Sequence, residues 1–533
     1  MAETFHNTLE EFASGREIIV QLSKMAVKHD SKVREAHCGE RREPVMDPEL
    51  AGMMPAHFCF RQASRKARVM ALANFLQHRI EQGAPEEYIS RLSEFVSKVQ
   101  GIVRTGDFEF PSPRLIPQFK DGDDSAKKYV YRPLSAYTDL TAKVVMGLVA
   151  AYLSECFDPY FHDEMLAYRL PREYHGQKNK VTTNRDAVPT ILEYAGKHKD
   201  DEIWVAECDI QKFFDILKHS VILECFDDLA ERVQEDHPEF DTTISRALLE
   251  SFLDSYSFYN DVYAFNKAGG EDSEFWKKCL GRSYDPEASY SFGWVKEEVA
   301  ERNSDCDDFS DLGIPQGAAL STIVTNIVLQ SVDSRVIGEP DENRLYVRYC
   351  DDIVIMHTDR RECERLTKLY TQALRSHCLE FHRFKDVSQL PKKRTREDES
   401  DTGRWTNEYW GAKSKEPFKW GRYNGNSAEW IGFLGFEIRR DGSVRMRRSS
   451  VGKKSDKIYR DIIQIRDCKD EALRQRHLKR LLSAEIGIPS ETGRERNLLF
   501  SHTGINDNSY TERQIRGLEK FREKYLRKMG IIH

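Results

Sequence analysis

The 533-residue chain has little of what would place a protein outside the cell or inside a bilayer. Its eleven cysteines, scattered from Cys38 to Cys468, form no CxxC pair and meet no paired histidine spacing. Neither a zinc site nor a disulfide framework is favoured, and a reducing cytoplasm suits such thiols best. The opening MAETFHNTLEEF lacks the basic and then apolar segments of a signal peptide, and the longest apolar run, Val144 to Leu153, is too short to cross a bilayer. Secretion and membrane spanning are both disfavoured. There is no internal repeat and no long low-complexity tract. Bulk positive charge is missing too: 81 Lys and Arg face 88 Asp and Glu, leaving −7. That excludes coating a polyanion through overall charge and requires a local basic patch for any such partner.

What is present is 39% hydrophobic and 32% charged sequence, enough for a large core without surplus apolar surface. Residues 1–125 read as a helical N-terminal extension, with Ile89, Leu92, Phe95, Val96 and Val99 recurring at helical spacing through a predicted helix from Ile80 to Val103. Residues 126–445 form the middle region. Within it, residues 265–311 are Gly-, Asp- and Glu-rich and predict a solvated surface insertion; residues 386–428 predict a second, RNA-facing through Trp405, Tyr409, Trp410 and Trp420. Residues 446–533 predict a basic helical region. From Arg439 onward there are about 24 basic against about 13 acidic residues, close to +11, so the polyanion patch is C-terminal.

Four segments in a fixed order carry the chemistry. Asp209-Ile210-Gln211-Lys212-Phe213-Phe214 ends an apolar run, Ile203 to Cys208, that reads as a buried strand surfacing at a carboxylate. Gly313-Ile314-Pro315-Gln316-Gly317 precedes a helix bearing Ser321 and Asn326. Tyr349-Cys350-Asp351-Asp352 lies between two apolar strands, Leu345 to Arg348 and Ile353 to Met356; Ile431-Gly432-Phe433-Leu434-Gly435-Phe436 reads as a Gly-punctuated hairpin start. Adjacent aspartates in a partly buried turn repel and raise each other's pKa, a penalty that a divalent cation removes. Asp351 and Asp352, with Asp209 from another strand, supply hard oxygen ligands for two Mg²⁺ ions, the recurrent solution for in-line nucleotidyl transfer.

In these segments the chain resembles a reverse transcriptase, with Asp209 in motif A, Gly313 to Gly317 as motif B, Tyr349 to Asp352 as motif C and Phe433-Leu434-Gly435 as motif E. The resemblance spans roughly Tyr129 to Arg448. It implies an α+β right-hand polymerase of fingers, palm with antiparallel sheet and helical thumb. It also implies Asp209, Asp351 and Asp352 as catalytic residues, with Ile210 beside them in the metal set, and Mg²⁺, or Mn²⁺ in its place, as cofactor. Phe214 matches the aromatic beneath the incoming sugar, where a bulky ring selects deoxynucleotides. Gln316 and Gly317 match the segment lying on the nascent base pair. Arg132 and Arg169 match fingers residues that hold the triphosphate, and Lys385 falls where motif D offers a lysine that protonates pyrophosphate. Three departures stand out: Asp139-Leu140 where many relatives have Asp-Arg, Ser321-Thr322 where motif B continues Ser-Pro, and Cys350 where motif C usually has alanine.

Group II intron enzymes share motif E and the region Ser450 to Lys457, but they usually carry a maturase and often an endonuclease region with paired cysteines; no such cysteines appear here, which disfavours a mobile-intron role. The Val-Thr-Gly and Asn-Ala-x-x-His segments of retron enzymes are missing, and Pro315-Gln316 differs from the Ser-Gln of diversity-generating enzymes. The remaining resemblance is to defence-associated bacterial reverse transcriptases of the unknown group. It implies a cytoplasmic RNA-directed DNA polymerase acting against phage with a partner non-coding RNA, dNTPs as substrates, DNA as product and possible homo-oligomerisation. The alternatives are template-independent or protein-primed synthesis on the same fold, and an RNA-binding splicing cofactor.

Overall fold

The computed structural model describes residues 5–36, 46–55, 64–123, 125–184, 186–263, 273–281, 284–293, 297–386, 409, 412–422, 427–468, 471–483 and 509–532. The N-terminal region is helical, with its long helices at Gly15–Ala36, Arg65–Glu81 and Glu87–Thr105. The single helix predicted from Ile80 is two. Gln82 to Glu86, with Gly83 at φ 60° and a proline at 85 that cannot supply a helical N–H, breaks it. The second helix buries Ile89, Leu92, Phe95, Val96, Val99 and Val103 as one stripe and ends at Gly106, whose left-handed backbone closes the last turn onto the Ile102 carbonyl. This stripe joins the main core.

The chain then enters an antiparallel hairpin, β1 (Arg114–Asp123) and β2 (Lys128–Ala136), the fingers. The helix Leu140–Phe157 follows, capped by the Asp139 carboxylate, which accepts from the Ala142 N–H at 2.6 Å. Its apolar residues occur on every side, the pattern of a helix enclosed by protein. By length and hydropathy it alone among the described residues matches a membrane span, and 67% of that window is buried inside the protein. A small hairpin, β3 (Arg172–Tyr174) and β4 (Gln177–Lys180), and the helix Ala187–Lys197 lead to β5 (Trp204–Gln211), the strand bearing Asp209.

The first predicted insertion is a solvated loop only in part, its acidic stretch from Asp305 to Asp311 being exposed or half-exposed. Its helix Ser273–Leu280 and strand β6 (Ser289–Phe292) build the fingers: β6 pairs parallel with β2, and Trp276, Tyr290 and Phe292 are buried with Tyr131 of β2 and Ile216 of the palm. The alternation Ser289-Tyr290-Ser291-Phe292 is a strand period, with the two aromatics facing inward.

The buried helix Ala319–Ile337 crosses behind the sheet to β7 (Arg344–Tyr349) and β8 (Asp352–His357), which are followed by the amphipathic helix Arg360–Ser376. Two short strands, β9 (Glu380–Phe381) and β10 (Phe384–Lys385), precede β11 (Ser414–Trp420) and β12 (Ser427–Ala428). The palm sheet runs β10-β11-β5-β8-β7, with β12 on β11 and β9 on β5. Strand β11 therefore lies inside the sheet, antiparallel to β5, where a second insertion was predicted. Tyr409 and Trp420 are fully buried and face no nucleic acid; Trp405 and Trp410 lie outside the described residues.

A three-stranded sheet, β13 (Trp430–Phe433), β14 (Phe436–Arg439) and β15 (Val444–Met446), ends the palm. The helices Arg448–Asp467, Glu471–Ser483 and Ser509–Lys528 then pack on their own cluster of Ile458, Ile462, Leu478, Leu518 and Leu526. Gln514 ties this thumb to the palm, accepting from the Met446 N–H at 2.9 Å and donating to the Met446 carbonyl at 2.7 Å. The whole is an α+β right-hand polymerase fold.

Candidate active site

Strand register brings the carboxylates together. Asp209 of β5 lies directly opposite Asp352 of β8, so both side chains leave the same face, and Cβ atoms at such positions are about 4.5–5.5 Å apart. Asp351 sits in the turn between β7 and β8, after Cys350, whose φ of 55° turns the chain in one residue. Burial, followed by the charge of Asp209, raises the Asp351 carboxyl. Burial and then the Asp351 and Asp209 charges push Asp352 up to about 7. Such a face strains against its own charge and favours a bound cation.

Among the described residues, no three His, Cys, Asp or Glu side chains stand together as a complete metal cage. Mg²⁺ takes one or two carboxylates and completes its shell with water and substrate phosphates. Ile210 has a buried side chain and sits opposite Phe381 of β9, leaving its backbone carbonyl as its one possible ligand.

The cation beside the aspartates is Lys413, whose Nζ lies 3.1 Å from Asp209 Oδ2 and 3.2 Å from His382 Nε2. Its charge lowers the pKa of both Asp351 and Asp352. Lys385, predicted for the pyrophosphate-facing role, instead occupies the outer strand β10, opposite Lys415. Sequence reasoning missed Lys413 because it falls inside the span 386–428 that reads as an insertion; the strand-like Ser414 to Trp420 that follows it was the available signal.

Motif B is clamped between fingers and palm. The Gln316 carbonyl accepts from the Ser135 N–H of β2 at 2.9 Å, and its side-chain amide donates to Asp215 Oδ1 at 2.7 Å. Asp215 is enclosed, its pKa raised by burial despite Lys212 and Gln316. The Ile314 N–H donates to the Phe214 carbonyl at 2.8 Å, while the Phe214 ring packs edge-on to Phe213 with centroids 5.3 Å apart. Gly313, at φ 87°, admits no side chain: a Cβ there would stand 2.6 Å from Phe258 Cβ. Gly317, at φ 97°, faces open space, its nearest neighbour being the Ser135 carbonyl at 3.9 Å. The predicted Phe214, Gln316 and Gly317 thus share one wall.

Four cations converge beside that wall, Lys212 pairing with Asp215 at 3.5 Å. The Lys120 pKa is lowered by burial and then by Lys212, Arg132 and Lys413. Arg132 of β2 is exposed and felt electrostatically at Asp351. Gly293, directly after β6, lies against this cluster: a Cβ on it would stand 3.2 Å from Lys212 Nζ and 3.6 Å from Lys120 Nζ. Lys120 and Lys212 went unrecognised in the sequence, although Lys212 lies three residues after Asp209. Arg169 is corrected. It is buried, paired to Asp158 at 2.8 Å, and bonded to the Asp158 and His162 carbonyls, so its guanidinium is used up within the protein.

At the thumb side, Arg447 packs over Gly432 of β13, where a Cβ would meet its guanidinium carbon at 3.0 Å, and its charge lowers the Asp352 pKa. Glu207, two residues before Asp209, is paired within the sheet to Lys415, both nearly enclosed, and also accepts from the Gly432 N–H at 3.1 Å. Strand β5, β11 and the Gly432 segment are thereby fastened to one carboxylate.

The fold and site define a polymerase palm. Residues 272–438 match the family model of the reverse transcriptase (RNA-dependent DNA polymerase), a span that holds Gln316, Gly317, Asp351 and Asp352. The match covers less than half of the chain. No curated protein sequence is significantly similar to it. Among solved structures it is similar to telomerase from Candida albicans in complex with a TWJ fragment of telomeric RNA, at 12% identity and a TM-score of 0.34, with 83% of this chain and 63% of that chain covered. It is similar as well to apo telomerase from Candida tropicalis, at 10% identity and a TM-score of 0.34, with 94% and 76% covered. The chain therefore spans less than two thirds of the Candida albicans telomerase chain.

Proposed function

We propose that this protein is an active RNA-templated DNA polymerase that works in the bacterial cytoplasm against phage, with a partner non-coding RNA as template. The observation that carries the chemistry is the register of Asp209 opposite Asp352 beside Asp351. In the reaction a primer 3′-oxygen attacks the α-phosphorus of a dNTP, the bond to the β-phosphate oxygen breaks, and pyrophosphate leaves. Two Mg²⁺ ions, held by Asp209, Asp351, Asp352 and the Ile210 carbonyl, would activate the 3′-hydroxyl and neutralise the leaving group. Lys120, Arg132 and Lys212 bind the triphosphate by charge. Phe214 bars a 2′-hydroxyl, and Gly317 admits the base pair against bare backbone. Lys413 delivers a proton to the departing pyrophosphate, the role sequence alone assigned to Lys385. The defence role rests on the resemblance to solitary bacterial enzymes with long extensions and palm insertions; one such insertion is built into the fingers here.

The test is to purify the protein with the RNA it retains and supply Mg²⁺ and labelled dNTPs, with and without RNase, beside Asp351→Ala. RNase-sensitive, carboxylate-dependent DNA supports the reading. RNase-insensitive incorporation points to untemplated synthesis, and DNA that stays attached to denatured protein points to protein priming. The defence role is tested separately: a host carrying the wild-type gene should resist phage, and one carrying Asp351→Ala should not.

A further inference from the structure

Directly beneath the motif C turn lies an enclosed ion pair that the chemistry above does not use. The side chain of Arg348 is 0% exposed and that of Asp333 1%. Arg348 Nε lies 2.9 Å from both Asp333 oxygens, and its Nη2 lies 2.7 Å from Oδ2. Tyr346 donates its hydroxyl to Asp333 Oδ1 at 2.6 Å. Replacing a buried pair of this kind with apolar residues often leaves stability unchanged or improved, so burial alone gives no reason for a charged pair here.

The reason lies in what the free end of the guanidinium reaches. Arg348 Nη1 donates to the Cys350 carbonyl at 3.2 Å and to Asn326 Oδ1 at 3.4 Å. Cys350 is the left-handed residue of the turn, and its carbonyl belongs to the peptide that leads into Asp351. A non-glycine residue in that conformation persists only where its surroundings hold it. The backbone of Arg348 is itself fixed: its N–H donates to the Glu164 carbonyl at 3.1 Å, and its carbonyl accepts from the Leu166 N–H at 2.9 Å. Asn326 in turn donates to the Ala167 carbonyl at 3.1 Å. One guanidinium thus joins β7, the helix Ala319–Ile337 and the turn carrying the metal-binding carboxylates.

We infer that Arg348, seated on Asp333, is a positioning residue that grips the Cys350 carbonyl and fixes where Asp351 and Asp352 present their oxygens to the divalent cation. Arg348 touches neither carboxylate and acts through the turn. The inference rests on the metal-site reading above, so its test needs a readout that does not require DNA synthesis.

Two variants serve. Arg348→Met/Asp333→Leu removes the pair without leaving an unpaired buried charge. Arg348→Lys keeps the charge on Asp333, but a single ammonium lacks the forked reach to serve both Asp333 and the Cys350 carbonyl. Circular dichroism and thermal melting establish folding, and Mn²⁺ titration followed by electron paramagnetic resonance, without nucleotides, reads the site. The expected result is a folded protein whose Mn²⁺ affinity falls about 10-fold in both variants, the usual size for losing a residue that orients a metal ligand. The Mg²⁺ half-saturation of kcat should rise in parallel. Folded variants with wild-type Mn²⁺ affinity would overturn the inference. So would the unfolding of both, which would make the pair a folding element alone. A wild-type protein that binds Mn²⁺ but makes no DNA under any condition would sink the polymerase reading and leave this one standing if the variants bind Mn²⁺ more weakly.

Discussion

Lys413 Nζ stands 3.1 Å from Asp209 Oδ2, although 204 positions separate the two residues in sequence. The contact exists because β11 runs antiparallel to β5 with Lys415 opposite Glu207, which carries the start of β11 to the end of the sheet that bears Asp209. An ammonium there can hold the Asp209 charge and donate a proton to a departing phosphate. Lys413→Met should lower kcat about 100-fold, the usual floor for losing a general acid, with little change in the KM for dNTP. Lys385→Met, on the outer strand, should stay within about 3-fold of wild type. Steady-state kinetics on both variants decides between them; equal losses would return the role to neither lysine.

This pair also shows what a sequence discloses and what it hides. Asp209, Gln316, Gly317, Asp351 and Asp352 were legible because their chemistry demands particular residue types at short, fixed spacing. Lys413, Lys120 and the Glu207–Lys415 pair depend on strand register across long separations, which no local pattern encodes. Arg169 misled for the opposite reason. Its position in the chain suited a phosphate ligand, but the Asp158 carboxylate eleven residues earlier claims it, and only burial shows this. Part of the insertion after residue 265 was misjudged by composition, where the four-residue alternation of serine and aromatic was the better signal.

Charge on the face carrying Asp209, Asp351 and Asp352 should cost stability. Asp352 is largely enclosed, its ionised form disfavoured by burial and by two neighbouring carboxylates. Asp352→Asn removes one of three like charges while keeping shape. In metal-free buffer near pH 8 it should melt about 2 °C or more above wild type while losing DNA synthesis. Differential scanning calorimetry with chelator reads the first effect; a lower melting temperature would show that the three charges are already compensated within the protein.

Phe214 is fixed in place by its carbonyl bond to the Ile314 N–H and its edge contact with Phe213, so its ring cannot easily yield to a larger sugar. Phe214→Val should raise ribonucleotide incorporation relative to deoxyribonucleotide by roughly 10- to 100-fold, the equivalent of relieving about 1–3 kcal/mol of overpacking. Competition between dCTP and CTP on one template measures the ratio. Unchanged discrimination would place the sugar check elsewhere.

Acid sensitivity should trace partly to His219, whose Nε2 donates to the Gly313 carbonyl at 2.8 Å and thereby steadies the start of motif B. Burial lowers its pKa below the ordinary 6.5, against opposing pulls from that carbonyl bond, Asp311 and Asp254. The sign follows from proton counting. Between the lowered folded value and about 6.5 the unfolded chain holds more protons than the native one, so stability rises with pH across that window and is complete above it. Falling pH should therefore erode stability from about 6.5 downward. His377, also lowered by burial, adds to the same slope, so the His219 share is the difference between wild type and His219→Gln. That variant should melt lower at pH 7.5 but lose less on acidification to pH 5.5. Parallel melting curves across that range would assign the acid response to other groups and leave His219 as an uncharged hydrogen-bond donor at every pH tested.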